Sequence, residues 1–384
     1  MRLRLQSYSV DSVVVLWYNM LVRLSEKRNK KITYTIWQKE FDFMIMKPTR
    51  EVFQTYGVDD NVGLSEIIAQ SAEFDSKWKD YLVDNSVSPH YTLTEEQKLV
   101  LSSNNCIVTL DLTELALQQI CQRFGVPYSY IVKCVESKRP KLAAKNLNSW
   151  IKQDKNSLRV RSAEGVARAI VSQNYVPYDN ARILQQLKLA MDTKRFVPTQ
   201  VFLSQDGMQI RFVDFTPLPV SDGTNSPLYA GIVLRSSSVG TGSFSLRFFI
   251  YRFACTNGLV IPSMGGTLFR VSHIGNMMRD EKISLFNRAF MDIDLLCDKA
   301  VELVKRNNAH RLSEEEMQLM IKKVKNELKL SKEKTDKLST LITSKYNDTR
   351  WGVINGVTEL AQEFSLDTRY DIESWAGRFF ADAA

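Results

Sequence analysis

Apolar and polar positions follow two different periods along this chain, and the changes of period mark its organisation. From residue 111 to about residue 153, Leu112, Leu115, Leu117, Ile120, Cys121 and Phe124 fall at helical spacing. A Gly125-Val126-Pro127 break follows, and then Ile131, Val132, Val135 and Leu142. The pattern predicts two or three short helices, because side chains three and four apart share one helix face. Between residues 198 and 273 the period shortens to two. Segments 199–203 and 208–213 flank Ser204-Gln205-Asp206-Gly207, which reads as a hairpin turn with Gly207 free to adopt a positive backbone angle. Further strands are expected at 228–236, 244–253 and 267–271. In the second of these, Phe244, Leu246, Phe248 and Ile250 form one face, expected to pack on helices. Ser245, Arg247, Phe249 and Tyr251 form the other, expected to face a groove.

From residue 280 to about residue 346 the helical period returns without a single glycine or proline, which reads as a long helical arm. Ser313 and Glu316 stand in capping-box relation ahead of Met317, Met320, Ile321 and Val324. A last helix is expected near 350–364, where Gly352 and Gly356 follow Trp351 and small residues imply close packing. The fold class is therefore α+β: a curved antiparallel β-meander flanked by helices, with a long C-terminal helical arm. Residues 1–90, with a strand-like run at 31–37 and a polar linker at 85–90, form an N-terminal region of unknown role. Residues 91–384 form the core, helical over 91–155, strand-rich over 156–275 and helical over 280–384.

Composition narrows the classes. The chain has 384 residues, 44% of them hydrophobic and 24% charged, enough to bury a large core. No apolar run approaches the ~18 residues needed to cross a bilayer, and the stretch 13–18 is too short for a secretory signal, so neither membrane association nor secretion is expected. Five cysteines in no paired spacing read as buried thiols of a reducing compartment. His90, His273 and His310 lie far apart without carboxylate or cysteine at ligand spacing, so no metal and no cofactor is expected.

The net charge of +8 is unevenly spread. Lys133, Lys138, Arg139, Lys141, Lys145, Lys152, Lys155, Arg159 and Arg161 face only Glu136 and Asp154 as acids over the same span. That imbalance fits a polyanion surface, whereas the lysines at 322–337 alternate with acids as on a solvated helix. The spacing Cys121, Gly125, Ile131, Cys134 also imitates a helix-turn-helix, although any helix, glycine turn and helix in a core gives it. The segment 157–180 crowds Arg159, Arg161 and Arg168 beside Tyr175 and Tyr178, with Pro177 imposing a turn. Guanidinium forks beside phenols suit phosphates and stacked bases. The expected nucleic-acid-binding residues are Arg159, Arg161, Arg168, Tyr175, Tyr178, Arg182, Lys141, Lys145 and Arg247.

The ordered set Arg161, Arg168-Ala169-Ile170-Val171-Ser172, Tyr175, Asp179-Asn180, Leu246-Arg247-Phe248, residues 255–259, Arg270-Val271-Ser272-His273 and residues 351–359 resembles a phage and plasmid protein family known as domain of unknown function 932, over roughly residues 111–380. The resemblance implies a mobile-element origin and a bacterial cytoplasm, and brings no settled activity. Element order, a β-meander followed by a long helix, is similar to the core of the single-strand annealing proteins that phages carry for recombination and that assemble into rings or filaments. The expected function is binding of single-stranded DNA or RNA by a homo-oligomer that anneals strands. The alternative is a protein-interaction module that grips a host protein and inhibits a host defence or remodels host physiology.

Enzyme readings lack support in the sequence. Ser172 or Ser243 with His273 and Asp179 has no nucleophile-elbow glycine pattern, Cys255 with His273 is a lone pairing, and Asp292 with Asp294 is spaced to point apart on a helix. Gly240-Thr241-Gly242-Ser243 precedes a strand, not the helix N-terminus that a phosphate loop opens.

Overall fold

The structure is a computed structural model that describes residues 62–85, 91–103, 106–191, 195–221, 227–252, 257–260, 267–273, 290 and 292–382. All of them belong to one compact unit. The strand-like run 31–37 and most of the expected linker lie outside the described residues, as does Cys255.

The chain begins with α1 (Val62–Ser76) and β1 (Trp78–Val83), then β2 (Tyr91–Leu93), β3 (Leu99–Ser103) and β4 (Cys106–Leu112). Three helices follow: α2 (Glu114–Arg123), α3 (Tyr128–Glu136) and α4 (Pro140–Ile151). Next come β5 (Leu158–Ala163), β6 (Val166–Ser172) and α5 (Asn180–Ala190). Strands β1 to β6 make a sheet of order β1-β5-β6-β4-β3-β2, antiparallel except for the parallel β4–β6 pair. This first sheet departs from the sequence reading in two ways. Residues 91–112, expected to be helical, are strands, and residues 62–83, assigned to a separate N-terminal region, are part of the core because β1 pairs along its whole length with β5. Leu93, Leu99, Leu110, Leu117, Ile120, Ile131 and Leu147 close a core between this sheet and α2–α4.

The second sheet holds β7 (Phe196–Ser204), β8 (Gly207–Pro217), β9 (Leu228–Ser237), β10 (Phe244–Arg252), β11 (Asn257–Val260) and β12 (Thr267–Val271). The order is β11-β10-β9-β8-β7, with β12 on the remaining half of β10. This is the expected meander, and the turn falls at the expected residues, with Ser204 paired to Gly207. Gly207 does not take the expected positive backbone angle, and glycine is needed there because a Cβ would meet the Ser236 carbonyl at 2.4 Å. Phe244, Leu246, Phe248 and Ile250 enter the larger core, as their alternation requires.

That core is closed by α6 (Ile293–Ala309), α7 (Glu314–Glu327), α8 (Lys332–Lys345), α9 (Arg350–Leu360) and α10 (Leu366–Ala381). The expected long arm is thus three packed helices. Lys329 at φ 51° ends α7, and the Ser331 hydroxyl caps α8. The Ser313–Glu316 capping box is formed in both directions. Close packing at α9 is also as expected. A Cβ on Gly356 would meet Ile342 Cγ1 at 2.9 Å, and Trp351 lies against Phe380 with ring centroids 5.5 Å apart.

The other face of β10 does not line a groove. Helix α10 covers it, placing Tyr370 among Val213, Tyr229, Val233, Phe249, Tyr251 and Val260. Glu373 reaches through to Arg211 and Arg369, so a buried carboxylate fastens the helix to the sheet.

Candidate nucleic-acid interface

The arginine cluster of residues 157–180 is part of the joint between the two sheets. Positive backbone angles at Glu164 (φ 53°) and Gly165 (φ 79°) turn β5 into β6, and on its other edge β5 pairs with β1 in the register that sets Arg161 directly opposite Asp80. Arg161 Nε donates to Asp80 Oδ1 at 2.9 Å, and Arg159 Nη1 donates to the other oxygen at 3.2 Å. Arg161 also donates to the Ser238 carbonyl beyond β9 and lies over Trp78, 4.2 Å from the ring centroid. Arg168 Nη1 donates to Asp206 Oδ1 in the β7–β8 turn at 2.7 Å. These three guanidiniums therefore have carboxylate partners within the chain where phosphates were expected, although the Arg168–Asp206 pair is partly solvated.

The tyrosines are likewise internal. Tyr175 and Tyr178 sandwich the His273 imidazole at centroid distances of 4.7 and 4.6 Å, and their hydroxyls donate to the carbonyls of Ser237 and Ser272. Burial pushes the Tyr175 phenol up to about 12. Both aromatic faces that were expected to stack on bases already face a histidine. Arg247 lies half-buried with its guanidinium 5.5 Å from the Tyr370 ring, beneath α10. Arg182 is exposed on α5.

His273 Nδ1 lies 3.2 Å from the Val176 carbonyl, and Ser243 Oγ accepts from Arg270 Nε, so the imagined serine and histidine pairing is not formed. Among the described residues no group of three or more His, Cys, Asp or Glu side chains is placed to hold a metal ion. No helix among them is long and apolar enough to cross a membrane.

Lys141 and Lys145 stand elsewhere, on α4, and there the surface is open. Helices α2 and α3 meet through Gly125 at φ 65°, with Cys121, Ile131 and Cys134 buried, so the helix, glycine turn and helix are present as spaced in the sequence. Arg139 lies just before Pro140, whose fixed φ suits the first turn of α4. Ala143, Ala144, Leu147 and Ile151 face the core, which turns the opposite side outward. Asn148 fixes the rotation by mimicking a strand neighbour. Its amide exchanges two 2.8 Å hydrogen bonds with the backbone of Leu93 on β2.

The outward side of α4 carries two adjacent stripes. Lys141, Lys145 and Lys152 form one, and Leu142, Asn146 and Trp150, each four residues apart, form the other. Trp150 is 49% exposed and Leu142 39%. Asn146 Nδ2 donates to the Tyr130 hydroxyl of α3, which brings a second exposed aromatic beside the stripe. Lys133, Lys138, Arg139 and Lys155 are also exposed around it. Of the two acids in this span, Asp154 is buried and engaged by Arg123 in a two-point contact, which leaves Glu136 at the surface. Glu95 approaches Lys141 at 3.2 Å, but both side chains are largely solvated and the pair is weak. The sequence showed the charge imbalance. It missed Tyr130, Leu142 and Trp150 as surface groups, although the four-residue spacing of Leu142, Asn146 and Trp150 was legible.

No curated protein and no solved structure matches the chain. A family model described as "Domain of unknown function (DUF932)" matches residues 167–372, from β6 into α10. It takes in Arg168, Tyr175, Arg247, His273 and the α9 glycines and leaves out Arg161 and the α3–α4 face. That match covers more than half of the 384 residues, and the chain belongs to this family.

Proposed function

We propose that the α3–α4 face binds single-stranded nucleic acid with little regard to sequence, in a phage- or plasmid-encoded protein of the bacterial cytoplasm that assembles on strands and promotes their annealing. The observation that supports this reading is the pairing of the Lys141-Lys145-Lys152 stripe with the exposed rings of Trp150 and Tyr130. Ammonium groups neutralise phosphates and release condensed counterions, which makes the affinity fall steeply with salt. Aromatic rings stack on unpaired bases, each contact contributing about 1–3 kcal/mol, and every base offers a face for it. Duplex DNA hides those faces, so the aromatic stripe selects single strands over duplex.

The rival reading places an acidic host protein on the same face, in a module that inhibits a host defence. Leu142 between the aromatics is the feature that favours it. The two readings separate in one experiment: titration of the full chain with fluorescent single-stranded and duplex oligonucleotides over a salt series. Salt-steep binding that prefers single strands supports the first, and absence of oligonucleotide binding at low salt removes it.

A further inference from the structure

A cavity of about 600 Å³ opens where α2 and β6 of the first sheet meet the β9–β10 loop and the end of β12. Its wall includes Arg123 and Arg270, with Gln122, Ser172 and Thr241 adding polar groups, and among the described residues no Asp or Glu lines it. Arg123 directs Nε and Nη2 to Asp154 and Asn156, and Arg270 directs Nε to Ser243. Among the described residues, Nη1 of Arg123 and both terminal nitrogens of Arg270 are left for a ligand.

The loop that closes the cavity is held in shape. Ser237 Oγ accepts from the amides of Val239 and Thr241, and the Gln119 side chain bridges the Val239 carbonyl to the Ile170 amide. Gly240 sits at φ 77°, where a Cβ would meet Val171 Cγ1 at 2.7 Å, so only glycine lets the loop lie against β6.

His273, also on this wall, is 6% exposed. Its Nδ1 faces a carbonyl, which only accepts, so Nδ1 carries the proton and Nε2 is the bare acceptor of a neutral ring. That Nε2 is buried and has no hydrogen-bond partner. A buried acceptor left without a donor is costly, and a small shift of this wall that admits a ligand hydroxyl would satisfy it.

We propose that this cavity binds a phosphomonoester that also carries a free hydroxyl, the phosphate on Arg123 and Arg270 and the hydroxyl on His273 Nε2. A free nucleoside monophosphate and the 5′-phosphorylated end of a strand share that chemistry. The site is separate from the α3–α4 face and does not depend on it.

The test is calorimetric titration of the full chain with adenosine 5′-monophosphate, adenosine and inorganic phosphate, repeated on R270Q and on K141E/K145E/K152E. The expected result is binding of the monophosphate but not of adenosine, weakened at least about 10-fold in R270Q, since a fork-to-phosphate contact is lost, and unchanged in the lysine variant. Arg270 is exposed, so R270Q keeps the fold. Displacement of the monophosphate by a 5′-phosphorylated oligonucleotide, but not by its 5′-hydroxyl counterpart, identifies the strand end as the ligand; failure to displace it identifies the free nucleotide. No binding of the monophosphate at millimolar concentration, or equal binding by R270Q, overturns the proposal. Loss of oligonucleotide binding in the lysine variant reports on the α3–α4 face alone.

Discussion

Asp80 and Arg161 sit directly opposite each other on β1 and β5, and Arg161 Nε donates to Asp80 Oδ1 at 2.9 Å. The same carboxylate receives Arg159, so one acid serves two guanidiniums at the seam where Arg161 crosses to Ser238. Removing its charge leaves Arg161, with 5% of its side chain exposed, without a counterion. D80N is expected to lower unfolding free energy by about 3 kcal/mol, the usual scale for breaking a buried pair from one side. Urea denaturation measures it, and a loss below about 1 kcal/mol would show that the clasp contributes little.

Glu373 presents the same logic more deeply. Its side chain is fully buried between Arg211 and Arg369, and it fastens α10 to the face of the second sheet. E373Q is expected to cost about 3–5 kcal/mol. The double variant R211M/E373M should be less destabilised than E373M alone, because it removes the more deeply buried of the two guanidiniums that E373M orphans, leaving only Arg369. Equal losses in the two would argue that packing alone holds α10.

The His273 ring links stability to pH. Burial first, with a smaller contribution from the Arg161 charge, outweighs the Val176 carbonyl and holds the imidazole below its usual value of 6.5. The unfolded chain takes up this proton as pH falls through about 6.5, while the folded chain resists until lower pH. The contribution is therefore complete above about pH 6.5 and is lost as pH drops toward the folded value. H273F keeps an aromatic ring between Tyr175 and Tyr178 and should show a shallower fall of the urea midpoint between pH 7 and pH 5. An unchanged slope would exclude His273 as the source.

Trp150 separates stacking from stability. Half of its surface is open, so W150A should leave the urea midpoint nearly unchanged while weakening oligonucleotide binding by about 1–3 kcal/mol. A large loss of stability, or no loss of affinity, would place the ring in the core's service instead.

Much of the second sheet was legible because its strands are local hairpins with an alternating pattern and a glycine turn, and the α7 capping box was legible because it lies within four residues. The first sheet was legible only in part: β5 and β6 fall in the stretch 156–275 expected to be strand-rich, whereas β1 to β4 were not expected. The place of Arg159 and Arg161 in a strand makes sense only with Asp80, about eighty positions earlier in the chain. The same distance misled the site reading. Arginines and tyrosines crowded in sequence had long-range partners in Asp80, Asp206, Ser238 and His273. Lys141 and Lys145 are exposed as expected because a helix surface is set by local periodicity.

Fluorescence anisotropy of the parent chain and K141E/K145E/K152E with a labelled single-stranded oligonucleotide, from about 25 to about 300 mM salt, decides whether α3–α4 holds nucleic acid, since these conditions run from weak to strong screening. Each lysine contact contributes about 0.7 to the slope of log affinity against log salt. Tight, salt-steep binding by the parent is expected, with a slope shallower by about 2 and weaker binding throughout in the variant. Equal slopes and affinities in the two proteins would contradict a nucleic-acid interface on α3–α4.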